Sequence, residues 1–184
     1  MMKKLIIICI CALFAGCSSA ARINVQVEPF SRAKIATLDL RHIVSQGKVE
    51  NSHVKYERSI SENQTSPLSL AFEITFKADR NYTSMLLLDE TAQIRIDDSF
   101  FKIKLLEQKV RKNRVCGGFI VSVCTTKYTV TEKAVLTKEM EKKLLKAKSL
   151  MYQFKTTETV VMEAAPAQLE AIKELLALTH SSLK

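Results

Sequence analysis

Apolar and polar residues alternate most strictly from Leu68 onward, with Leu68, Leu70, Phe72, Ile74 and Phe76 on one side and Ser69, Ala71, Glu73, Thr75 and Lys77 on the other. A period of two sends successive side chains to opposite faces, so this segment predicts a half-buried strand. Residues 22–27 alternate over a shorter span, and residues 82–88 and 93–96 are rich in β-formers. Asp97-Asp98-Ser99 then separates Ile94 and Ile96 from Phe101, Ile103 and Leu105, which predicts a hairpin with the two aspartates as turn residues rather than as an acid pair. A long strand is expected over 119–130, and two more over 151–156 and 159–162 with a turn between them. Two periods compete near residue 40. Ala36, Leu38, Leu40 and Val44 fit a strand, whereas Ala36, Leu40, Ile43 and the following Gly47 fit a helix; the strand is the preferred reading.

Two segments switch to helical spacing. Thr137 can cap a helix whose Met140, Leu144 and Ala147 share a face while Lys142, Lys143 and Lys146 point elsewhere. Pro166 suits the first turn of a second helix striped by Leu169, Ile172, Leu175 and Leu176. The pattern predicts an α+β fold: a mostly antiparallel sheet of about seven strands with two helices packed on one face. The polar stretch 59–67, which ends at Pro67, is a candidate subdomain boundary within one domain over 22–184.

Composition narrows this picture. With 184 residues, 47% apolar and 26% charged, the chain is long enough to bury a core. Four glycines, three prolines and no tryptophan are not the signature of collagen-like or disordered chains.

The first residues follow a different logic. Lys3 and Lys4 precede an apolar run from Leu5 to Phe14, and the small Ala15 and Gly16 stand before Cys17, which is the three-part plan of a secretory leader. The run is about half the roughly twenty residues that span a bilayer as a helix. Leu13, Phe14, Ala15, Gly16 and Cys17 resemble the lipobox of bacterial lipoprotein precursors. The resemblance implies a signal peptide over 1–16, diacylglycerol on the Cys17 thiol, and a short tether over 17–21. It further implies, because Ser18 and not Asp follows the cysteine, an outer-membrane location facing the periplasm. Cleavage after Ala20 or Ala21, which discards Cys17, is the competing route. Processing at Cys17 removes Lys3 and Lys4 and lowers the net charge from +9 to +7.

Of five cysteines, processing leaves Cys116 and Cys124 beside the acylated Cys17. An oxidising compartment favours a disulfide between them. The nine-residue ring adds roughly 2.5 kcal/mol in the chain-entropy model, and it requires Gly117-Gly118 to fold the chain back. Positive charge concentrates at Lys102, Lys104, Lys109, Arg111, Lys112 and Arg114, with Glu107 the sole acid among them. This run, read as a strand leading into a loop, is a candidate anion-binding patch for lipid phosphates or for the acidic face of an envelope protein. A solvated strand edge protected by lysines explains the same residues. Nucleic acid is a poor partner for an exported chain whose patch lacks interleaved aromatics. His42, His53 and His180 have no metal-ligand spacing, and no phosphate loop or G-x-S-x-G elbow occurs, so no metal, cofactor or catalytic residue is expected. The resulting expectation is a membrane-anchored, non-enzymatic interaction or structural module. A periplasmic module that binds a small molecule or lipid between sheet and helices is the alternative.

Overall fold

A computed structural model of the chain describes residues 21–77, 89–117, 123–155 and 159–183. They form two antiparallel sheets and two α-helices around one apolar core. The strands are β1 (Asn24–Val27), β2 (Lys34–Arg41), β3 (Ile43–Gln46), β4 (Val49–Ile60), β5 (Ser69–Lys77), β6 (Thr91–Ile96), β7 (Ser99–Lys104), β8 (Leu106–Gly117), β9 (Val123–Val135), β10 (Leu150–Lys155) and β11 (Thr159–Glu163). The helices are α1 (Lys138–Leu144) and α2 (Pro166–Ala177). The six-stranded sheet runs β1-β2-β4-β5-β9-β8 and the five-stranded sheet β3-β11-β10-β6-β7.

The α+β class and the antiparallel pairing hold, but a single sheet of about seven strands does not. Two segments account for much of the difference. β4 carries Asn51, His53, Lys55 and Glu57 on its outer side, which dilutes its apolar signal, although Val54 and Tyr56 are fully buried. β8, read as a loop because of its cations, is a strand at the edge of the six-stranded sheet. The candidate boundary at 59–67 falls within the connection between β4 and β5, which pair from Val49–Phe76 to Glu57–Ser69, so it joins neighbours in one sheet. Around residue 40 the chain is strand, in two pieces divided between the sheets. The expected strand over 82–88 and residues 119–122 lie outside the described residues.

The chain changes sheets repeatedly, and two of these crossings turn on a single residue between strands. At His42 the chain leaves β2 for β3, and at Leu105 it leaves β7 for β8. After β3 it returns to the six-stranded sheet through Gly47, whose φ of +105° is open to glycine at little cost. An added Cβ there would sit 3.0 Å from Val160 Cγ2 and 3.2 Å from the Thr159 carbonyl oxygen.

Face-to-face packing follows from alternation. Leu38, Val54, Tyr56, Phe72, Ile74 and Val130 point inward from one sheet, and Ile94, Tyr152, Phe154 and Val160 from the other. The Phe72 ring meets Tyr152 and Phe154 edge-on at centroid distances of 5.2 and 5.0 Å, a favourable arrangement for aromatic quadrupoles. At about 1.5–3 kcal/mol per fully buried large side chain, this core is the main source of stability.

Both helices contribute to that core, though not on a common sheet face: α2 packs on β2 of the first sheet and α1 approaches β6 of the second. Thr137 caps α1 by accepting from the Met140 N–H at 3.3 Å. Pro166 opens α2, and Gln168 reaches back to accept from the Ala165 N–H at 2.9 Å. Arg58 joins these parts. Its Nε donates to the Ser66 carbonyl at 3.0 Å, Nη1 to the Leu176 carbonyl at 2.6 Å and Nη2 to Glu141 Oε2 at 3.2 Å. Glu141 Oε1 in turn accepts from the Leu68 N–H at 2.6 Å.

Strand direction defines two ends. β2, β5 and β8 run one way, and β1, β4 and β9 the other. The helices adjoin the end where β4 and β9 finish, here the helix end. The β8–β9 hairpin points to the opposite end. Among the described residues no helix is long and apolar enough to cross a membrane.

Candidate functional site

β8 and β9 have 12 and 13 residues, longer than the strands beside them require. β5 follows β9 only as far as the Lys77–Lys127 pair. Beyond that point β9 pairs with β8 alone among the described residues, through Arg114–Thr126, Val115–Thr125, Cys116–Cys124 and Gly117–Val123. Four further rows at about 3.3 Å each carry this arm roughly 13 Å past Lys77, the last described residue of β5.

The cysteines lie opposite each other near the end of the arm and form a disulfide with a Cα–Cα distance of 4.0 Å. The pairing read from sequence is therefore present, and antiparallel strands supply the reversal it needed. A two-stranded ribbon is marginal in water without a covering layer, so the covalent link holds register where packing cannot.

The cations of β8 divide by register. Lys109 and Arg111 stand opposite Thr131 and Thr129 and share one face, while Lys112 and Arg114, opposite Tyr128 and Thr126, share the other. All four are exposed. The Lys112 Nζ lies 5.9 Å from the centre of the Tyr128 ring, within reach of a cation–π contact. Lys102 and Lys104 flank the buried Ile103 on β7 and belong to the other sheet. The six cations of the sequence run are thus not one patch: Lys109, Arg111 and Lys112 lie on β8 along the edge of the sheet, Arg114 lies on the arm, and Lys102 and Lys104 lie apart on the other sheet.

Lys127, which sequence analysis did not single out, joins the arm opposite Asn113 and is bonded to Glu50 Oε1 at 2.6 Å. Its signal was the absence of any acid between Glu107 and Glu132 in the sequence. At the base of the arm a bulge between Leu106 and Lys109 places Glu107 at φ +56° and brings it to Lys133 at 2.7 Å. The hydrogen bond with Lys133 holds the Glu107 carboxyl below its usual range and raises the Lys133 ammonium.

Glu132 is different. It points inward, is 3% exposed, and its Oε2 has no hydrogen-bond partner among the described residues. Desolvation pushes its carboxyl up to about 7, an effect that the Gln108 side chain only partly opposes.

At the His42 crossing the buried polar groups are matched. His42 Nδ1 lies 3.3 Å from the Glu163 carbonyl oxygen, its Nε2 lies 2.8 Å from the Tyr56 hydroxyl, and that hydroxyl lies 2.9 Å from the one on Tyr152. The carbonyl can only accept, so Nδ1 carries the proton and Nε2 accepts from Tyr56, which accepts from Tyr152. Burial lowers the imidazole to about 4 and raises both phenols.

The outer face of the six-stranded sheet holds a shallow depression of about 250 Å³ bordered by Asp39, His53, Glu73, Lys109 and Lys133. Its opposite charges are interleaved, as in His53 Nδ1 to Asp39 Oδ1 at 3.5 Å, whereas Arg111, Lys112 and Arg114 gather one sign on β8. Asp97 is a turn residue as expected, at φ +51° and accepting from the Lys148 and Ser149 N–H groups at 2.8 and 2.9 Å. Among the described residues no group of His, Cys, Asp and Glu is placed to hold a metal ion. Comparison with family models, curated proteins and solved structures found no match.

Proposed function

We propose that the chain is an envelope lipoprotein, anchored through acylated Cys17 in the outer membrane and facing the periplasm, where it acts as a non-enzymatic interaction or structural module. The sequence Leu13-Phe14-Ala15-Gly16-Cys17 carries this reading. An exposed disulfide on a protruding hairpin supports it, since such a bond persists in an oxidising compartment. The concentration of exposed cations on that hairpin suits contact with an anionic surface rather than enclosure of a substrate.

Intact mass of the membrane-extracted protein tests the reading. Cleavage before Cys17 with added acyl mass, and a two-proton gain on reduction of Cys116–Cys124, are the expected results. A chain that begins after Ala20 or Ala21 with no lipid overturns the anchor. A Cys17→Ala protein still trimmed at the same bond and retained through alkaline washing would do so as well.

A further inference from the structure

We propose that the β8–β9 arm lies against the anionic phospholipid head groups of the bilayer that holds the anchor, so that the domain docks by this end with its helices pointing away. The proposal rests on the reading of Cys17 as the anchor. β1 is antiparallel to β2, with Asn24 opposite Thr37 and Val27 opposite Lys34. The chain preceding Asn24 therefore leaves towards the end where β2 finishes at Arg41. The arm projects beyond the sheet at that same end. From Ala21 back to Cys17 is four residues, at most about 14 Å of extended chain, which keeps the end of the sheet where β1 begins close to the lipid. A domain held on so short a tether presents the arm to the lipid surface.

The chemistry of the arm matches that surface. Arg111, Lys112 and Arg114 are exposed and have no ion-pair partner among the described residues, while Lys109 stands beside Glu107, the acid nearest in sequence, which Lys133 engages. Guanidinium groups present paired donors to phosphate oxygens, and anionic lipids attract such clusters within a Debye length of the surface. The two sides of the ribbon each carry a pair of cations, so a ribbon lying edge-on brings both pairs to the head groups. The disulfide holds the strands together without a second sheet beneath them.

The test uses protein extracted from membranes and reconstituted with vesicles of phosphatidylcholine alone, or with roughly one lipid in three replaced by phosphatidylglycerol. Backbone amide exchange is followed over residues 109–117 and 123–129. Exchange in the arm is expected to slow roughly fivefold on the anionic vesicles, with α2 unchanged, and the slowing to vanish in high salt and in Arg111→Gln/Arg114→Gln. Equal exchange on both vesicles, or slowing that survives the double substitution, overturns the proposal, as does arm protection that appears only with an added acidic protein. Mass spectrometry of the same preparation keeps the two ideas separable. An unacylated protein whose arm still slows on anionic vesicles sinks the anchor and upholds the arm, and an acylated protein with an indifferent arm does the reverse.

Discussion

The two ends of this molecule handle charge in opposite ways. At the helix end Arg58 and Glu141 are both nearly buried, yet each is satisfied: three Arg58 nitrogens and both Glu141 oxygens have partners drawn from β4, the β4–β5 connection, α1 and α2. At the arm end the cations are exposed, mostly unpaired among the described residues, and followed at the base by a buried carboxylate whose Oε2 lacks a partner. A buried, fully bonded pair fixes how elements join, whereas unpaired surface charge adds little to folding and remains available to something outside. The contrast separates the part of the molecule built to hold from the part built to meet a surface. Phe30, 99% exposed on the β1–β2 hairpin, belongs to the helix end and is the most exposed large apolar side chain among the described residues.

Breaking the helix end is expected to have the largest effect. Glu141→Ala leaves the Arg58 guanidinium and the Leu68 N–H without their acceptor and should cost about 4 kcal/mol in urea unfolding. A loss under about 1 kcal/mol would show that this junction is not a structural tie. The His42 chain comes next. Tyr56→Phe deprives both His42 Nε2 and the Tyr152 hydroxyl of a partner, at a cost of about 2–3 kcal/mol, while Tyr152→Phe removes only the terminal donor and should cost about 1 kcal/mol. Similar costs for the two would contradict the assigned direction of the hydrogen bonds.

At the arm end, Cys116→Ser/Cys124→Ser should lower stability by about 2.5 kcal/mol or less, with amide exchange accelerating first in residues 109–117 and 123–129. Uniform acceleration across both sheets would mean that the link supports the whole fold rather than the arm.

Glu132→Gln sharpens the comparison through pH. The folded carboxyl titrates near 7, above its usual value, so its burial cost is absent below about pH 4.5, grows as pH rises, and is complete above about pH 7. The substitution should stabilise the protein by about 1–2 kcal/mol at pH 8 and by nothing at pH 4. His42 works in the opposite sense. With its folded value lowered to about 4, it contributes stability that is complete above about pH 6.5 and lost as pH falls towards 4. The two slopes oppose each other between about pH 4.5 and 6.5, so stability of the parent chain should rise more gently there than that of Glu132→Gln, whose slope should be close to 1.4 kcal/mol per pH unit. A flat profile in the variant would rule out the His42 contribution.

Much of the fold was legible wherever one face is apolar and the other polar. The strand from Leu68 to Phe76, the Asp97-Asp98 turn, the Thr137 cap and the Pro166 start all act through local periodicity or capping, which sequence displays directly. β8 was not legible as a strand, because it is an edge strand with exposed cations on both of its faces, which removes the period-two signal. β4 was obscured by the charged residues along its outer side. The disulfide could be proposed from compartment and count, but its geometry depended on a reversal that only the pairing of β8 with β9 supplies. The same holds for the candidate site. Its residues were named from a run of charge, yet their separation into four on β8 and an outlying pair on β7 depends on Leu105, where the chain changes sheets. The Arg58–Glu141 and Tyr56–Tyr152 pairs join residues 83 and 96 positions apart, and no local pattern announces such partners.

The crossing at Leu105 has a mechanical consequence. Because β7 and β8 are one uninterrupted stretch of backbone laced into both layers, a tug on the protruding ribbon is shared between two rows of hydrogen bonds loaded in shear. Each is the edge strand of its sheet, so a load on the ribbon reaches both layers along the margin they share and is not borne by one layer alone.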